Sequence, residues 1–402
     1  MKKYQSHIQY ALIQASIWGL YGVLLSYAQN YLLGKNFSNI IVSGILSAAS
    51  VCSVIFQIIL TEFVNKSKRI TLTMVTIALS TMILFASAIL QWIPISPVGI
   101  AAAYGLGVVG LQILPAFANA MGMSAIQSGK NVNFGVARGI GSGAYAVISF
   151  LVGRWIISMG YNVILIVTMI LCIMLSYTSF IFTRKQKKEI VGQEMSENLG
   201  LLQFLIYHKK FTVFLLGCML CSISHSLTTS YLYQITVSKG GTSAEQGIAS
   251  AIAALVELPA MFLFIPMVKR VRCDTWIKVS GLFFTLKALF IFLAPNIPAL
   301  YGAMGFQLLG FALYSVSSVY YAGSVISSKY VVQSQSYLFA AFNIGGILAL
   351  LIGGPVLENF NIQTLMLLAT AFGFGGFLLF SLGSEKVKKM VGDNKMEIKT
   401  AE

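Results

Sequence analysis

The stretch FGVARGIGSGAYAVISFLVGRWIISM, residues 134–159, consists of apolar and small residues broken by two arginines, of which Arg138 lies near its beginning. About 20 such residues in a helix cross the ~30 Å hydrocarbon core of a bilayer. Gly135, Gly139 and Gly143 recur every four residues, a spacing that lets a neighbouring helix approach closely. The stretch therefore predicts a closely packed membrane helix that carries a charged side chain.

The rest of the chain has the same character. Of its 402 residues, 57% are hydrophobic and 10% are charged, and the mean hydropathy is +0.81. These values are typical of an integral membrane protein. We expect an all-α membrane protein with twelve transmembrane helices, at residues 8–33, 40–62, 70–92, 98–123, 134–159, 163–182, 211–237, 246–268, 276–294, 299–324, 335–358 and 362–382.

Internal repeats organise these spans into two sets. GVVGLQIL at residues 107–114 in the fourth span returns as GAMGFQLL at residues 302–309 in the tenth, and IGS at 140–142 returns as IGG at 344–346. We therefore expect two pseudo-symmetric six-helix bundles, residues 1–183 and 211–384, joined by a cytoplasmic linker, 184–210, and followed by a cytoplasmic tail, 385–402. Duplicated bundles of this kind are typical of transporters.

The net charge of +15 has a topological explanation. Most of the 27 lysines and arginines fall in alternate loops and at the two ends of the chain. Cytoplasmic loops carry such an excess, so we expect cytoplasmic N- and C-termini in the cytoplasmic membrane, with anionic lipids beside these loops. The spread of charge over many loops excludes nucleic acid as the expected partner.

The first apolar span is long enough to remain as a helix, so no cleavable signal peptide is expected.

Motifs of enzyme chemistry and of nucleotide binding are missing from the sequence. It contains no His-Glu-x-x-His, no Gly-x-Ser-x-Gly and no phosphate-binding loop with its lysine. Cys218 and Cys221 have redox-motif spacing, but they fall within an apolar span and are expected to be two small core residues. We expect no enzyme, no cofactor and no metal site, and a transporter that uses an ion gradient or diffusion.

Two further charges, Glu257 and Lys287, lie deep inside predicted spans, as Arg138 does. Both fall roughly 18–20 Å from the cytoplasmic end of their helices at 1.5 Å per residue. An ion pair at this depth can serve coupling, or it can simply hold two helices together. His225, among serines and threonines in the seventh span, is a candidate for proton handling, although a single histidine in a core is commonly structural.

The residues of the opening stretch carry a family resemblance. The sequence NFGVARGIGSGAY at 133–145 resembles the fifth-helix motif of the lactose permease branch of the major facilitator superfamily, which includes oligosaccharide:proton symporters and related nucleoside transporters. The resemblance implies the major facilitator fold, with Arg138 binding a sugar and Tyr145 stacking on it. The family's carboxylate partner for the arginine is replaced here by Asn119.

The resemblance extends to the second half with one departure. Glu257 and Lys287 are similar to the family's eighth-helix glutamate and ninth-helix basic residue. The tenth helix of the permease carries a histidine and a glutamate for proton coupling, whereas residues 307–313 here contain neither. If protons are the coupling ion, Glu257 is the carboxylate placed to carry them.

Together these features predict a secondary transporter of a small neutral polar solute. A sugar or glycoside is the leading substrate class, and Gln112 and Gln307 would line its path, although each could equally bind helices together. One alternative is an efflux transporter for amphipathic compounds, which an aromatic cavity would favour, with tyrosines at 231, 233, 314, 320 and 321. Another is a sensor with a transporter fold that moves no solute.

Overall fold

A computed structural model describes residues 5–66, 70–127, 130, 132, 134–183, 201–326 and 330–387. The described part of the chain is helical and contains no strand. The α-helices are α1 Gln5–Leu20, α2 Ala28–Leu33, α3 Asn39–Lys66, α4 Leu72–Trp92, α5 Pro97–Gln127, α6 Phe134–Met159, α7 Asn162–Thr183, α8 Leu201–Tyr207, α9 Lys209–Ser230, α10 Leu232–Ser238, α11 Ser243–Arg270, α12 Cys273–Leu293, α13 Ile297–Met304, α14 Leu313–Val325, α15 Val331–Asn359 and α16 Ile362–Gly383.

The expected membrane architecture is confirmed. Within the described residues, 11 helical stretches are long and apolar enough to span a bilayer. Eleven of the twelve predicted spans correspond to them, and the remaining one, 246–268, lies within the 28-residue helix α11. Helices are the expected solution because backbone polar groups in lipid must be satisfied within the segment itself.

The chain divides by its internal contacts into two units. The first contains Met1–Gln193 and Gly241–Leu255, and the second contains Glu194–Gly240 and Val256–Glu402. In the first, α1 packs on α6 and α7, and α4 packs on α5 and α7. In the second, α9 packs on α15 and α16, and α12 packs on α14 and α16. The same packing scheme is therefore used twice, whereas the division at Leu255 falls inside α11. The two bundles with bounds 1–183 and 211–384 remain a prediction.

Two tyrosines make the repeat visible at atomic level. The hydroxyl of Tyr27 donates to the Ser149 carbonyl oxygen at 2.5 Å, and the hydroxyl of Tyr231 donates to the Leu350 carbonyl oxygen at 3.0 Å. Each hydroxyl lies against a glycine of the helix that accepts its bond, Gly153 in α6 and Gly353 in α15, where any Cβ would clash with the tyrosine. Because these contacts are internal to each unit, they indicate two copies of one packing motif.

The first and tenth predicted spans are not continuous α-helices. Residues Tyr21–Leu25 form a π-helix between α1 and α2. Between α13 and α14 the chain passes through a 3₁₀ turn, Gly305–Gln307, and a π-helix, Leu308–Ala312. Single π turns within helices occur frequently at functional sites. Both interruptions lie beside the candidate site residues.

The beginning of the predicted tail is bound to the second unit. The backbone N–H of Val387 donates to Oδ1 of Asp274 at 3.2 Å, and that of Glu385 donates to the Tyr321 hydroxyl at 2.7 Å. Arg272 grips the Asp274 carboxylate with two hydrogen bonds, of 2.9 and 2.6 Å. Asp274 is 1% exposed and is therefore a buried charge that the sequence did not single out, whereas of the three charges expected from the sequence Lys287 is buried and Arg138 and Glu257 are half-buried. Residues 67–69, residues 184–200 of the predicted linker and residues 388–402 lie outside the described residues.

Candidate functional site

Arg138 lies in the first turns of α6 and packs on a tryptophan of α1. Its guanidinium carbon is 3.6 Å from the centre of the Trp18 ring, and its NH1 donates to Oγ of Ser142 at 2.9 Å. Cation–π contacts of this kind are worth about 0.5–2 kcal/mol. Gly141 makes the approach possible, because a Cβ there would lie 2.6 Å from Cδ1 of Trp18. These contacts hold the Arg138 side chain between α6 and α1.

A chain of polar side chains continues from Trp18 along α1. The indole Nε1 donates to Oε1 of Gln14 at 3.1 Å, and Nε2 of Gln14 donates to Oδ1 of Asn119 at 3.0 Å and to the Tyr10 hydroxyl at 2.7 Å. The sequence suggested that Asn119 would take the place of a carboxylate beside Arg138. In the structure, Gln14 and Trp18 connect the two side chains. We call Arg138, Trp18, Gln14 and Asn119 the arginine network.

Gln14 and Trp18 were not identified from the sequence. Tyr10, Gln14 and Trp18 recur every four residues, so they share one face of α1. That spacing was the available signal, but their partners lie more than a hundred residues away in the sequence. Gln14 is 1% exposed, and a buried amide of this kind needs hydrogen-bond partners.

Tyr145 lies one turn of α6 beyond Ser142. Its hydroxyl is 2.8 Å from Oγ of Ser26, the residue that follows the π-helix of the first span. Trp18 stacks on Tyr21 at the start of the same π-helix, with ring centres 5.0 Å apart. The interruption therefore separates the Trp18 contact with Arg138 from the Ser26 contact with Tyr145.

Gln112 is placed away from this network. Its Oε1 accepts from Oγ of Ser53 at 2.7 Å, and its Nε2 donates to Oγ of Ser50 at 3.0 Å. Both serines belong to α3, so the side chain joins α5 to α3. This arrangement supports the helix-binding role that the sequence left open for Gln112.

In the second unit, Gln307 lies between the two predicted coupling residues. Nζ of Lys287 donates to Oε1 of Gln307 at 2.6 Å, and Nε2 of Gln307 donates to Oε1 of Glu257 at 2.9 Å. Lys287 is 2% exposed and Gln307 is 3% exposed. The predicted pair of charges is thus linked by an amide, which was assigned from the sequence to the solute path. We call these three residues the coupling triad.

Gln307 is the last residue of the 3₁₀ turn and immediately precedes the π-helix. Its counterpart in the sequence repeat is Gln112, and the two play equivalent structural parts. Gln112 joins the fourth span to the second, and Gln307 joins the tenth span to the eighth, where Glu257 takes the place of a serine. At equivalent positions, the glutamine of the first unit therefore contacts the hydroxyl groups of two serines, and the glutamine of the second unit contacts the Glu257 carboxylate.

His225 lies in α9 within an aromatic cluster. Its ring stacks on Phe311 with centres 4.5 Å apart and an angle of 2°, and Phe342 and Phe284 are 6.2 and 5.8 Å away. Its Nδ1 is buried without a hydrogen-bond partner in the described part of the chain. The hydrogen bonds of the coupling triad do not include His225, so its predicted proton role gains no direct geometric support.

Three of the five tyrosines considered for an aromatic cavity are core residues. Tyr231, Tyr314 and Tyr321 are 0%, 4% and 0% exposed.

No group of three or more histidine, cysteine, aspartate or glutamate side chains that could hold a metal ion occurs among the described residues. The arginine network and the coupling triad are therefore the two candidate sites, one in each unit.

Comparison with other proteins gives a family match for the second half of the chain and a fold match for the whole of it. Residues 213–397 match the model of the Major Facilitator Superfamily, whereas comparison with curated protein sequences gives no match. Among solved structures, the chain is similar to a point mutant of the nucleoside transporter NupG, with a TM-score of 0.79 and 15% identity over 94% of this chain and 100% of that one.

Other transporters share the fold. An auto-inhibited peptide transporter of the POT family matches with a TM-score of 0.75 and 12% identity over 98% of this chain and 100% of that one. A bacterial homolog of the human lysosomal transporter Spinster matches with a TM-score of 0.64 and 15% identity over 96% of each chain. The second half of the chain thus matches the Major Facilitator Superfamily, and the whole chain has the fold of these transporters.

Proposed function

We propose that the protein is a secondary transporter that moves a small neutral, hydroxylated solute across the cytoplasmic membrane by alternating access. The arginine network carries this proposal. Guanidinium and amide groups supply directed donors and acceptors for hydroxyl groups, and an indole supplies a flat face for a sugar or a base. The charge of Arg138 is engaged by Trp18 and Ser142 within the protein, which suits a solute that brings no charge of its own.

Sugars, glycosides and nucleosides share this chemistry. The resemblance of residues 133–145 to oligosaccharide symporters favours a sugar or glycoside, and the similarity in fold to the nucleoside transporter NupG favours a nucleoside. Each presents a ring of hydroxyls, and glycosides with a flat aglycone and nucleosides add an apolar plane. The burial of Tyr231, Tyr314 and Tyr321 leaves the efflux alternative without a specific supporting observation.

The coupling triad supports use of an ion gradient. A carboxylate linked through an amide to a buried ammonium can change its protonation when the partners separate. Proton symport through Glu257 is therefore the proposed coupling. The distribution of basic residues supports cytoplasmic termini, with anionic lipids at the basic loops.

Uptake into proteoliposomes tests the proposal. Purified protein is offered labelled uridine, adenosine and lactose, with and without an imposed pH gradient. Accumulation of one of these solutes that requires the gradient is expected. Arg138→Gln should abolish binding without loss of folding, and Arg154→Gln, an exposed arginine of the same helix α6, is the matched control. No uptake of any of the three, together with expulsion of an amphipathic dye from cells, would establish the efflux alternative instead.

A further inference from the structure

Three polar side chains fasten the beginning of α11 to the first span. Nδ2 of Asn30 donates to Oγ of Ser243 at 3.0 Å and to Oε1 of Gln246 at 2.8 Å. Nε2 of Gln246 donates to the carbonyl oxygen of Ser26 at 2.9 Å. Asn30, Gln246 and Ser243 are 0%, 1% and 6% exposed, so these bonds are shielded from water. All four residues belong to the first unit. We call them the clasp.

Beside the clasp, a glycine of α11 faces a glycine of α6, so the two backbones come close together at this point. A Cβ on Gly247 would lie 2.6 Å from the Ser149 carbonyl oxygen and 2.7 Å from the Tyr27 hydroxyl. A Cβ on Gly153 would clash with the Ser243 carbonyl oxygen and lie 3.2 Å from Cα of Gly247. The two backbones therefore touch. A contact made only of backbone and small groups can separate without repacking large side chains.

One buried acceptor of the clasp lacks a hydrogen-bond donor. Oδ1 of Asn30 is buried and accepts no hydrogen bond in the described part of the chain. A buried acceptor without a donor is a cost that the closed arrangement carries and that contact with water would remove. This feature distinguishes the clasp from a fully bonded structural lock.

Ser26 links the clasp to a residue of the candidate solute site. Its carbonyl oxygen accepts from Gln246, and its side chain is hydrogen-bonded to the hydroxyl of Tyr145. It follows the π-helix Tyr21–Leu25, where the first span departs from regular helix geometry. A shift of Tyr145 toward a bound solute would therefore act directly on the residue that holds Gln246.

We propose that the clasp is a latch that releases the segment Gly241–Leu255 during transport, and that Tyr145 couples its release to solute. The latch itself is independent of the solute's identity, whereas the coupling through Tyr145 rests on the proposed function. On the proposed orientation, α11 begins at the outer side of the membrane, so release of the latch is part of the outward-opening step.

Hydrogen exchange of the full-length protein, purified in detergent without solute, tests the latch. Gln246→Leu and Asn30→Leu should each speed amide exchange across 243–255 by roughly threefold to tenfold, the effect of losing one or two net hydrogen bonds. Ser250→Ala, a buried serine of the same segment, is the control and should leave exchange unchanged. If Asn30→Leu fails to fold, Ser243→Ala serves in its place. Unchanged exchange in the folded clasp variants overturns the latch.

The coupling is tested separately with Tyr145→Phe, which keeps the ring and removes only the hydroxyl. Without solute it should also speed exchange across 243–255, whereas Tyr177→Phe, an exposed tyrosine of α7, should not. Unchanged exchange in Tyr145→Phe overturns the coupling while leaving the latch intact. Addition of uridine, adenosine or lactose should alter exchange in the wild type and not in Tyr145→Phe. If none of these solutes alters exchange in the wild type, the solute-linked release is overturned for these solute classes, independently of the clasp variants.

Discussion

Lys287 and Glu257 are joined through the side chain of Gln307, which accepts from the ammonium at 2.6 Å and donates to the carboxylate at 2.9 Å. With the Gln307 amide between them, the Lys287 ammonium and the Glu257 carboxylate are further apart than in a direct ion pair, and each still has a hydrogen bond. A buried ion that loses its partner is costly, whereas neutral replacements of both partners can be nearly as stable as the pair. The triad should therefore behave as one unit when its members are changed.

Lys287→Met should destabilise the protein by about 3 kcal/mol, because it leaves the Glu257 carboxylate without its countercharge. Glu257→Gln in the same molecule should restore most of that loss, since no net charge then remains in the triad. The free energy of unfolding of the two single variants and the double variant, measured by titration with denaturing detergent, gives the coupling between the sites. Additive losses would show that the two residues act independently.

Gln307→Leu should separate structural from coupling effects. Loss of its two hydrogen bonds to charged groups should cost about 2–4 kcal/mol and abolish gradient-driven accumulation, while exchange of solute down its gradient continues. Gln112→Leu is the matched control, because it also loses two hydrogen bonds between helices but touches no charge. Proteoliposome uptake with and without a pH gradient checks both. Equal loss of accumulation in the two variants would contradict a special role for Gln307.

Gly141→Ala should damage the arginine network, whereas Gly143→Ala should not. A Cβ at Gly141 would lie 2.6 Å from the Trp18 ring and 3.2 Å from the Gln14 carbonyl oxygen, so Trp18 must move away from Arg138. At Gly143 nothing lies within 4 Å, and alanine should stabilise α6 by up to about 1 kcal/mol through its helix propensity. Solute affinity and unfolding temperature check the pair. A harmless Gly141→Ala would show that the Trp18 contact is not needed.

The sequence predicted the spans and the repeat because apolar length and small-residue spacing are local signals. It also singled out Arg138, Glu257 and Lys287 by the cost of burying charge. It did not predict that Gln307 bridges Lys287 and Glu257, because the 3₁₀ and π turns that position this side chain leave no distinctive pattern in the residues.

Two other features escaped sequence reasoning for different reasons. The place of Trp18 beside Arg138 depends on how α1 packs against α6, a contact between distant parts of the chain. Asp274 lies in the first turn of α12 and outside the predicted span 276–294, but Arg272 and the backbone of Val387 enclose it. Both cases depend on which helix faces meet, and the repeat pattern constrains the pairing of helices without fixing the side chains at each contact.

The start of α11 should be sensitive to acid through its capping box. The side chain and the backbone N–H of Thr242 both donate to Glu245, and the Thr242 hydroxyl accepts from the N–H of Ala244 at 3.2 Å. The hydrogen bonds from the Thr242 hydroxyl and then from its backbone hold the pKa of the Glu245 carboxyl below its usual range. Glu245 precedes the predicted span 246–268, so it can exchange protons with water.

The sign of the pH effect follows from that lowered pKa. The folded protein favours the carboxylate, so its contribution is complete above the ordinary glutamate pKa of about 4.3 and is lost as pH falls through the lower folded value. Glu245→Gln should therefore be less stable than the wild type by about 1 kcal/mol at pH 7, and the difference should shrink below pH 4. Because other groups titrate equally in both proteins, the difference in unfolding free energy isolates Glu245. A Thr242→Val background removes the hydroxyl donor and keeps the backbone N–H donor, so the pH dependence of that difference should become smaller. An unchanged pH dependence would show that the Thr242 hydroxyl is not the main cause of the lowered pKa.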